Sequence, residues 1–190
     1  KGLSYFLTSL DAPGIRVRPI RHMAGFEPFC EVFFDAVRVA EDQRLGRENE
    51  GWAVAMGTLA DERSGVEYSG ASRRMLHDLQ EYCTAIAWTS ESERKGIANR
   101  LARLAVEVEA ARLLAYRVAW MQTAGHDVSG HAPMSKVFGS ELMGRLAALA
   151  MQLIGNHGPL EPCAERWTPM EGRLRREYMS VLGRITASAG

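Results

Sequence analysis

The residue in this chain best suited to chemistry is Glu62, because of the segment that carries it: Gly51-Trp52-Ala53-Val54-Ala55-Met56-Gly57-Thr58-Leu59-Ala60-Asp61-Glu62-Arg63. At helical period, Trp52, Ala55, Met56 and Leu59 form one apolar face, and the series 52, 55, 59, 62 extends that face to Glu62. A carboxylate at the end of an apolar face is costly to bury in its charged form, so burial raises its pKa. A raised pKa is what a general base working near neutral pH needs. A solvated Glu in the last turns of an ordinary helix satisfies the same spacing, and structural ion-pair networks contain such residues too, so spacing alone leaves both readings open. Asp61 and Arg63, taken alone, read as helix-surface charges.

The other candidates are weaker. Gln152-Leu153-Ile154-Gly155-Asn156-His157-Gly158 reads first as a helix terminus, since glycines after an apolar helix are what termination requires. It is neither a G-x-G-x-x-G nor a P-loop. His157 alone in a post-helix loop is more often a surface residue than a catalyst. Cys30, Cys83 and Cys163 are odd in number and far apart, which fits reduced thiols in a cytoplasmic protein rather than a zinc half-site or a disulfide framework. The five histidines show no H-x-x-x-H pairing, so no metal is expected. With 23 basic and 23 acidic residues the formal net charge is zero, which gives no reason to expect nucleic acid or an anionic membrane as partner. No uninterrupted apolar run reaches membrane-spanning length and no signal peptide is visible.

Two textures must position these residues. From residue 1 to about 46 the chain reads as strand. Gly2 to Leu7 is followed by the turn Asp11-Ala12-Pro13-Gly14, then by the alternating Ile15-Arg16-Val17-Arg18-Pro19-Ile20, and a third strand is expected over Glu31 to Val39. These strands hold too little apolar surface for a stable sheet of their own and read as the trailing part of a larger β-domain. After Gly46 helices follow, expected over about 50–89 with a bend near Gly65 or Gly70, 92–125, 134–154 and 170–185, with breakers from Gly125 to Pro133. In the second helix Leu101, Leu104, Ala105, Val108 and Ala115 share one face; in the third Val137, Phe138, Leu142 and Leu149 point inward. A hydrophobic share of 46% supports a real core. The predicted fold is mainly α: an antiparallel four-helix bundle over 47–190, preceded by the last strands of a β-domain over 1–46.

Several ordered motifs together resemble the acyl-CoA dehydrogenase family. The end of that family's β-domain reads "pGi…rpi…EvfFddVrVP…lG…Gw". It is matched by Pro13-Gly14-Ile15, Arg18-Pro19-Ile20, Glu31-Val32-Phe33-Phe34-Asp35, Val37-Arg38-Val39, Leu45-Gly46 and Gly51-Trp52. Its "L-x-x-E-R" is matched by Leu59 to Arg63, its "LA-x-x-x-x-x-VE-x-AR" by Leu101 to Arg112, and its "Q-x-x-G-x-x-G" loop by Gln152 to Gly158. There are departures. The family's N-terminal helical domain and the first part of its β-domain have no counterpart here, and no "R-x-x-F-G" lies between Gln80 and Arg100. Ala40 stands where the family has Pro, and the chain reaches Ala187-Ser188-Ala189-Gly190 where the family continues into "G-T-S-E-I".

The resemblance implies FAD-dependent α,β-dehydrogenation of an acyl-CoA thioester, with the β-hydride passing to flavin N5. The family places its catalytic Glu either in "L-x-x-E-R" or just before the C-terminal "G-T". The second place falls on Ala187 or Ala189, which leaves Glu62 as α-proton acceptor, as in isovaleryl-CoA-like and long-chain-like members. It further implies that Asp61 and Arg63 contact the CoA portion, that Trp52, Met56 and Leu59 wall the acyl slot, and that Gln152, Gly155 and Asn156 meet a neighbouring subunit's FAD. A homo-oligomer (dimer or tetramer) and an electron-transfer flavoprotein or similar acceptor are the partners it implies. Three other readings stay open: a partner-dependent, non-catalytic subunit, a related flavin monooxygenase or nitroalkane oxidase, and a helical association module without activity.

Overall fold

The computed structural model describes residues 2–62, 65–160 and 169–187, with side-chain surroundings for all of these except 60–62, 169, 171 and 182–187. They fall into two compact units, Lys1–Glu62 and Arg63–Gly190.

In the first unit, β2 (Ile15–Ile20) and β3 (Phe29–Phe34) form an antiparallel hairpin with Ile15 opposite Phe34 and Ile20 opposite Phe29. Arg18 faces Glu31 across the pair, and its Nε donates to Glu31 Oε2 at 2.6 Å. The guanidiniums of Arg16 and Arg18 stand 5.1 and 5.6 Å from the Phe33 ring centre. The third strand is shorter than expected and begins earlier, over 29–34 rather than 31–39. At Ala36 the backbone turns left-handed (φ 48°), so pairing cannot continue. The first strand pairs only briefly: β1 (Tyr5–Phe6) runs antiparallel to β4 (Arg44–Leu45). The start of α1 (Gly51–Glu62) is tied to this edge, because Gly51 N–H donates to the Leu3 carbonyl at 2.7 Å and Asn49 N–H to Ser4 Oγ at 3.0 Å.

The second unit is the four-helix bundle: α2 (Val66–Ala85), α3 (Glu91–Thr123), α4 (His131–Ile154) and α5 (Arg173–Ala187). The expected 50–89 helix is in fact two helices, α1 and α2. Gly65, which precedes α2, is left-handed (φ 74°), and a Cβ there would lie 2.7 Å from Ser135 Oγ of α4. Only glycine permits both the backbone turn and the close approach. α2 also stops short of residue 89, because Ile86 is extended (φ −84°, ψ 148°) and the Trp88 indole N–H donates to the Cys83 carbonyl at 3.2 Å. Ser90 caps α3: its Oγ accepts from Glu93 N–H at 3.1 Å, and the Glu93 carboxylate reaches back to Thr89 N–H. α4 begins at His131, so Pro133 lies in its first turn rather than among the breakers. A first-turn proline costs little because that N–H has no helical partner anyway.

Leu79, Leu142, Leu146 and Leu149 are fully buried at the centre, joined by Val108, Leu104 and Leu174. Val137, expected inward, is 49% exposed, while its neighbours Leu142 and Leu149 take the core positions. The stretch 131–157 is long and apolar enough by composition to cross a membrane, although Lys136, Glu141 and Arg145 interrupt it. Its apolar face is the one buried against the other helices, which accounts for its composition. A carboxylate also enters this core: Asp78 is nearly buried and accepts from Arg173 Nη2 at 2.7 Å and Arg74 Nε at 3.2 Å, tying the start of α5 to α2.

Candidate functional site

α1 ends at Asp61 and Glu62, whose backbone is helical; their side chains, and all of Arg63, lie outside the described residues. Of the apolar residues leading to Glu62, Met56 and Leu59 are half-buried within the first unit, whereas Trp52 is 65% exposed there. Ala187 closes α5, and Ala189 lies outside the described residues.

The end of α4 gives a fuller geometry. Ile154 is buried, and the chain then turns through Gly155 at φ 58°, ψ −129°, a conformation that side chains disfavour. Nothing lies within 4 Å of where a Cβ would stand on Gly155, so this backbone is open to close approach. Gln152, Asn156 and His157 are exposed around it. Gln152 Oε1 accepts from Arg100 Nη1 of α3 at 2.8 Å. A guanidinium only donates, so it must face the carboxamide oxygen, which leaves the amide N–H groups free to point outward. The cluster therefore presents donors beside an accessible backbone, a set of the kind that could meet the phosphate oxygens of a nucleotide. The sequence singles out Gln152, Gly155 and Asn156 but gives no sign of Arg100, which is 52 residues from Gln152 and carries no local motif.

Two other clusters are less apt. His77, Asp78 and Glu81 bring their ligand atoms within 4.8 Å of one another. The Asp78 carboxylate, however, is already taken by two guanidiniums, and His77 Nδ1 lies 3.6 Å from Glu81 Oε2. A groove of about 540 Å³ between α2 and α3 has Leu76, Ala105 and Val108 on its floor and Arg73, Arg74 and His77 on its rim. Of the thiols, Cys30 is exposed, Cys83 is half-buried with its pKa pushed up by burial, and Cys163 lies outside the described residues. Burial likewise raises the Tyr82 hydroxyl, with a smaller contribution from Cys83. Neither group is primed as a nucleophile.

Residues 49–180 match the family described as "Acyl-CoA dehydrogenase, C-terminal domain". Over 164 residues the chain is 35% identical to acyl-CoA dehydrogenase IpdE1 of Mycobacterium tuberculosis (strain ATCC 25618 / H37Rv), covering 86% of this chain and 42% of that protein. It is 27% identical over 199 residues to the caffeyl-CoA reductase-Etf complex subunit CarC of Acetobacterium woodii, covering 97% of this chain and 52% of that one. Among solved structures, an acyl-CoA dehydrogenase from Geobacillus kaustophilus superposes with a TM-score of 0.83 at 25% identity, over 97% of this chain and 48% of that one. The chain thus spans about half the length of the relatives it matches. The family match runs from the approach to α1 through the bundle into α5, over helices that share the fold of a solved member, and on that ground the chain belongs to the acyl-CoA dehydrogenase family.

Proposed function

We propose that the protein containing this chain carries out FAD-dependent α,β-dehydrogenation of an acyl-CoA thioester, with Glu62 removing the α-proton. The observation that carries this reading is the Leu59-Ala60-Asp61-Glu62-Arg63 motif at the end of α1, inside the 49–180 family match. The alternative base position holds Ala187 or Ala189, neither of which can accept a proton. The α-proton is weakly acidic, so the thioester carbonyl needs hydrogen-bond donors as enolate charge develops, and Glu62 needs a dry setting to act as a base near neutrality. Met56, Leu59 and Trp52 are the proposed wall of that setting, and Asp61 and Arg63 the proposed contacts to CoA. FAD, held in part by Gln152, Gly155 and Asn156, supplies the hydride acceptor when bound.

Residues 1–46 are proposed as the end of a β-domain and 47–190 as the helical domain. A cytoplasmic homo-oligomer, dimer or tetramer, is part of the same reading. Val106, Leu113, Tyr116 and Trp120 support it, since all four are exposed and recur at helical spacing on α3. An electron-transfer flavoprotein as acceptor is supported by the relative named as a subunit of an Etf complex. The segment Ile86-Ala87-Trp88-Thr89-Ser90 joins α2 to α3 without an "R-x-x-F-G", which favours a second reading: a subunit that depends on a partner chain to complete its cofactor sites.

Glu62→Gln in the complete protein tests the main reading. It keeps shape and hydrogen bonding but removes the base, and the rate of flavin reduction by acyl-CoA should fall by about 10²–10⁴. FAD content and acyl-CoA binding should stay near wild type, because the carboxylate acts in the proton-transfer transition state. Near wild-type reduction would exclude Glu62 as the base. Flavin content of the wild type in the same preparation addresses the second reading, since one FAD per chain in a homo-oligomer contradicts it.

A further inference from the structure

We propose that Arg100 binds the diphosphate of the FAD whose contacts were assigned above to Gln152, Gly155 and Asn156; the proposal rests on that cofactor reading. Those three residues are uncharged, and neutral donors alone leave a dianionic diphosphate without a counter-charge, whereas a charge-assisted guanidinium contact is about twice as strong as a neutral one. Arg100 supplies that charge at the right place. Its Nη1 is already 2.8 Å from Gln152 Oε1, which uses one of the five guanidinium N–H donors and leaves the rest available. Three other arginines of α3 and α4 are spent on carboxylates, Arg94 on Glu91, Arg112 on Glu109 and Arg145 on Glu107, whereas Arg103 and Arg117 are exposed without a carboxylate partner among the described residues but, unlike Arg100, do not reach Gln152. Among the described residues Arg100 has no carboxylate partner, and it is exposed.

The contact also gives Arg100 a second effect. By holding the carboxamide oxygen it turns the Gln152 N–H groups toward the ligand, so one side chain contributes charge and orients its neighbour. Arg100 stands ten residues after the Ser90 cap of α3, on the far side of the α2–α3 connection that lacks the family's arginine motif.

The test uses the complete protein stripped of flavin and titrated with FAD at several salt concentrations, comparing wild type with Arg100→Met, Arg100→Lys, Gln152→Ala and Arg117→Met. Arg117 is exposed on the same helix, about 25 Å further along, and controls for net charge. Arg100→Met is expected to raise the FAD dissociation constant by about ten- to a hundredfold at low salt. It should also flatten the salt dependence, which a purely structural role would not do. Arg100→Lys should recover most of the salt dependence and only part of the affinity, since lysine lacks the planar fork. Arg117→Met should leave both unchanged. If Gln152→Ala weakens FAD binding while Arg100→Met does not, the Arg100 proposal falls and the cofactor reading stands. If neither variant changes FAD binding, both fall. An equal loss in Arg117→Met would assign the effect to net charge and overturn the specific contact.

Discussion

The first unit and the bundle bury their apolar residues to very different degrees. Among the described residues of 2–62, Ala24 is the one buried hydrophobic side chain, while Leu3, Phe34 and Trp52 are each at least 65% exposed. In the bundle, Leu79, Leu142, Leu146 and Leu149 are completely enclosed. The cause is geometric. Among the described residues, the hairpin and the two-residue strand pair satisfy backbone hydrogen bonds but leave much of their apolar surface exposed, whereas four packed helices cover one another. Stability intrinsic to this chain therefore resides in the bundle, and the strands present β-branched and aromatic side chains to their surroundings.

The largest test of that contrast is a pair of truncations followed by urea unfolding. Leu146→Ala, at a fully enclosed position, should cost about 2–5 kcal/mol. Phe33→Ala, 39% exposed under two arginines, should cost less than about 1 kcal/mol. Equal losses would show that the strand unit has a core of its own and break the comparison.

Ion pairs sharpen it further. Asp78 is 6% exposed and meets Arg173, itself 33% exposed, so Asp78→Asn leaves a partly buried cation without its partner and should cost about 1–3 kcal/mol. Glu31→Gln breaks the Arg18 pair of the hairpin, where the side chains are 68% and 41% exposed, and should cost about 0–1 kcal/mol, falling with added salt. A large, salt-insensitive loss for Glu31→Gln would contradict the exposed character of the hairpin.

The smallest expected effect is a difference in thiol labelling. Burial raises the Cys83 pKa, so at mildly alkaline pH less of it is thiolate, and it should react more slowly with a disulfide reagent than exposed Cys30. The gap should narrow as pH rises through the elevated Cys83 value. Faster labelling of Cys83 would mean that α2 opens readily at its C-terminal end.

Much of this architecture was legible in local sequence because the signals were strong. Helical periodicity placed Leu101, Leu104, Val108 and Ala115 on the buried face of α3, where the structure has them. The break between α1 and α2 was legible only as a bend, since Gly65 signals a turn without saying how complete it is. What the sequence does not show is that Gly65 itself is left-handed and packed against Ser135, a residue 70 positions away. The strand boundary at Ala36 was missed for a similar reason: alanine carries no sequence sign of a positive φ.

For the candidate site, residue types and spacing by themselves determined that Glu62 ends an apolar helical series and that glycines follow α4, because both are short-range patterns tied to helix geometry. They could not show which side chains gather at the end of α4. That Arg100 reaches Gln152, and that Asp78 enters the core to meet Arg173, was decided by how α2, α3, α4 and α5 pack together. Pairing between residues 52 and 95 positions apart depends on the placement of whole helices, and helix placement is set by the buried leucines rather than by the residues that form the pairs.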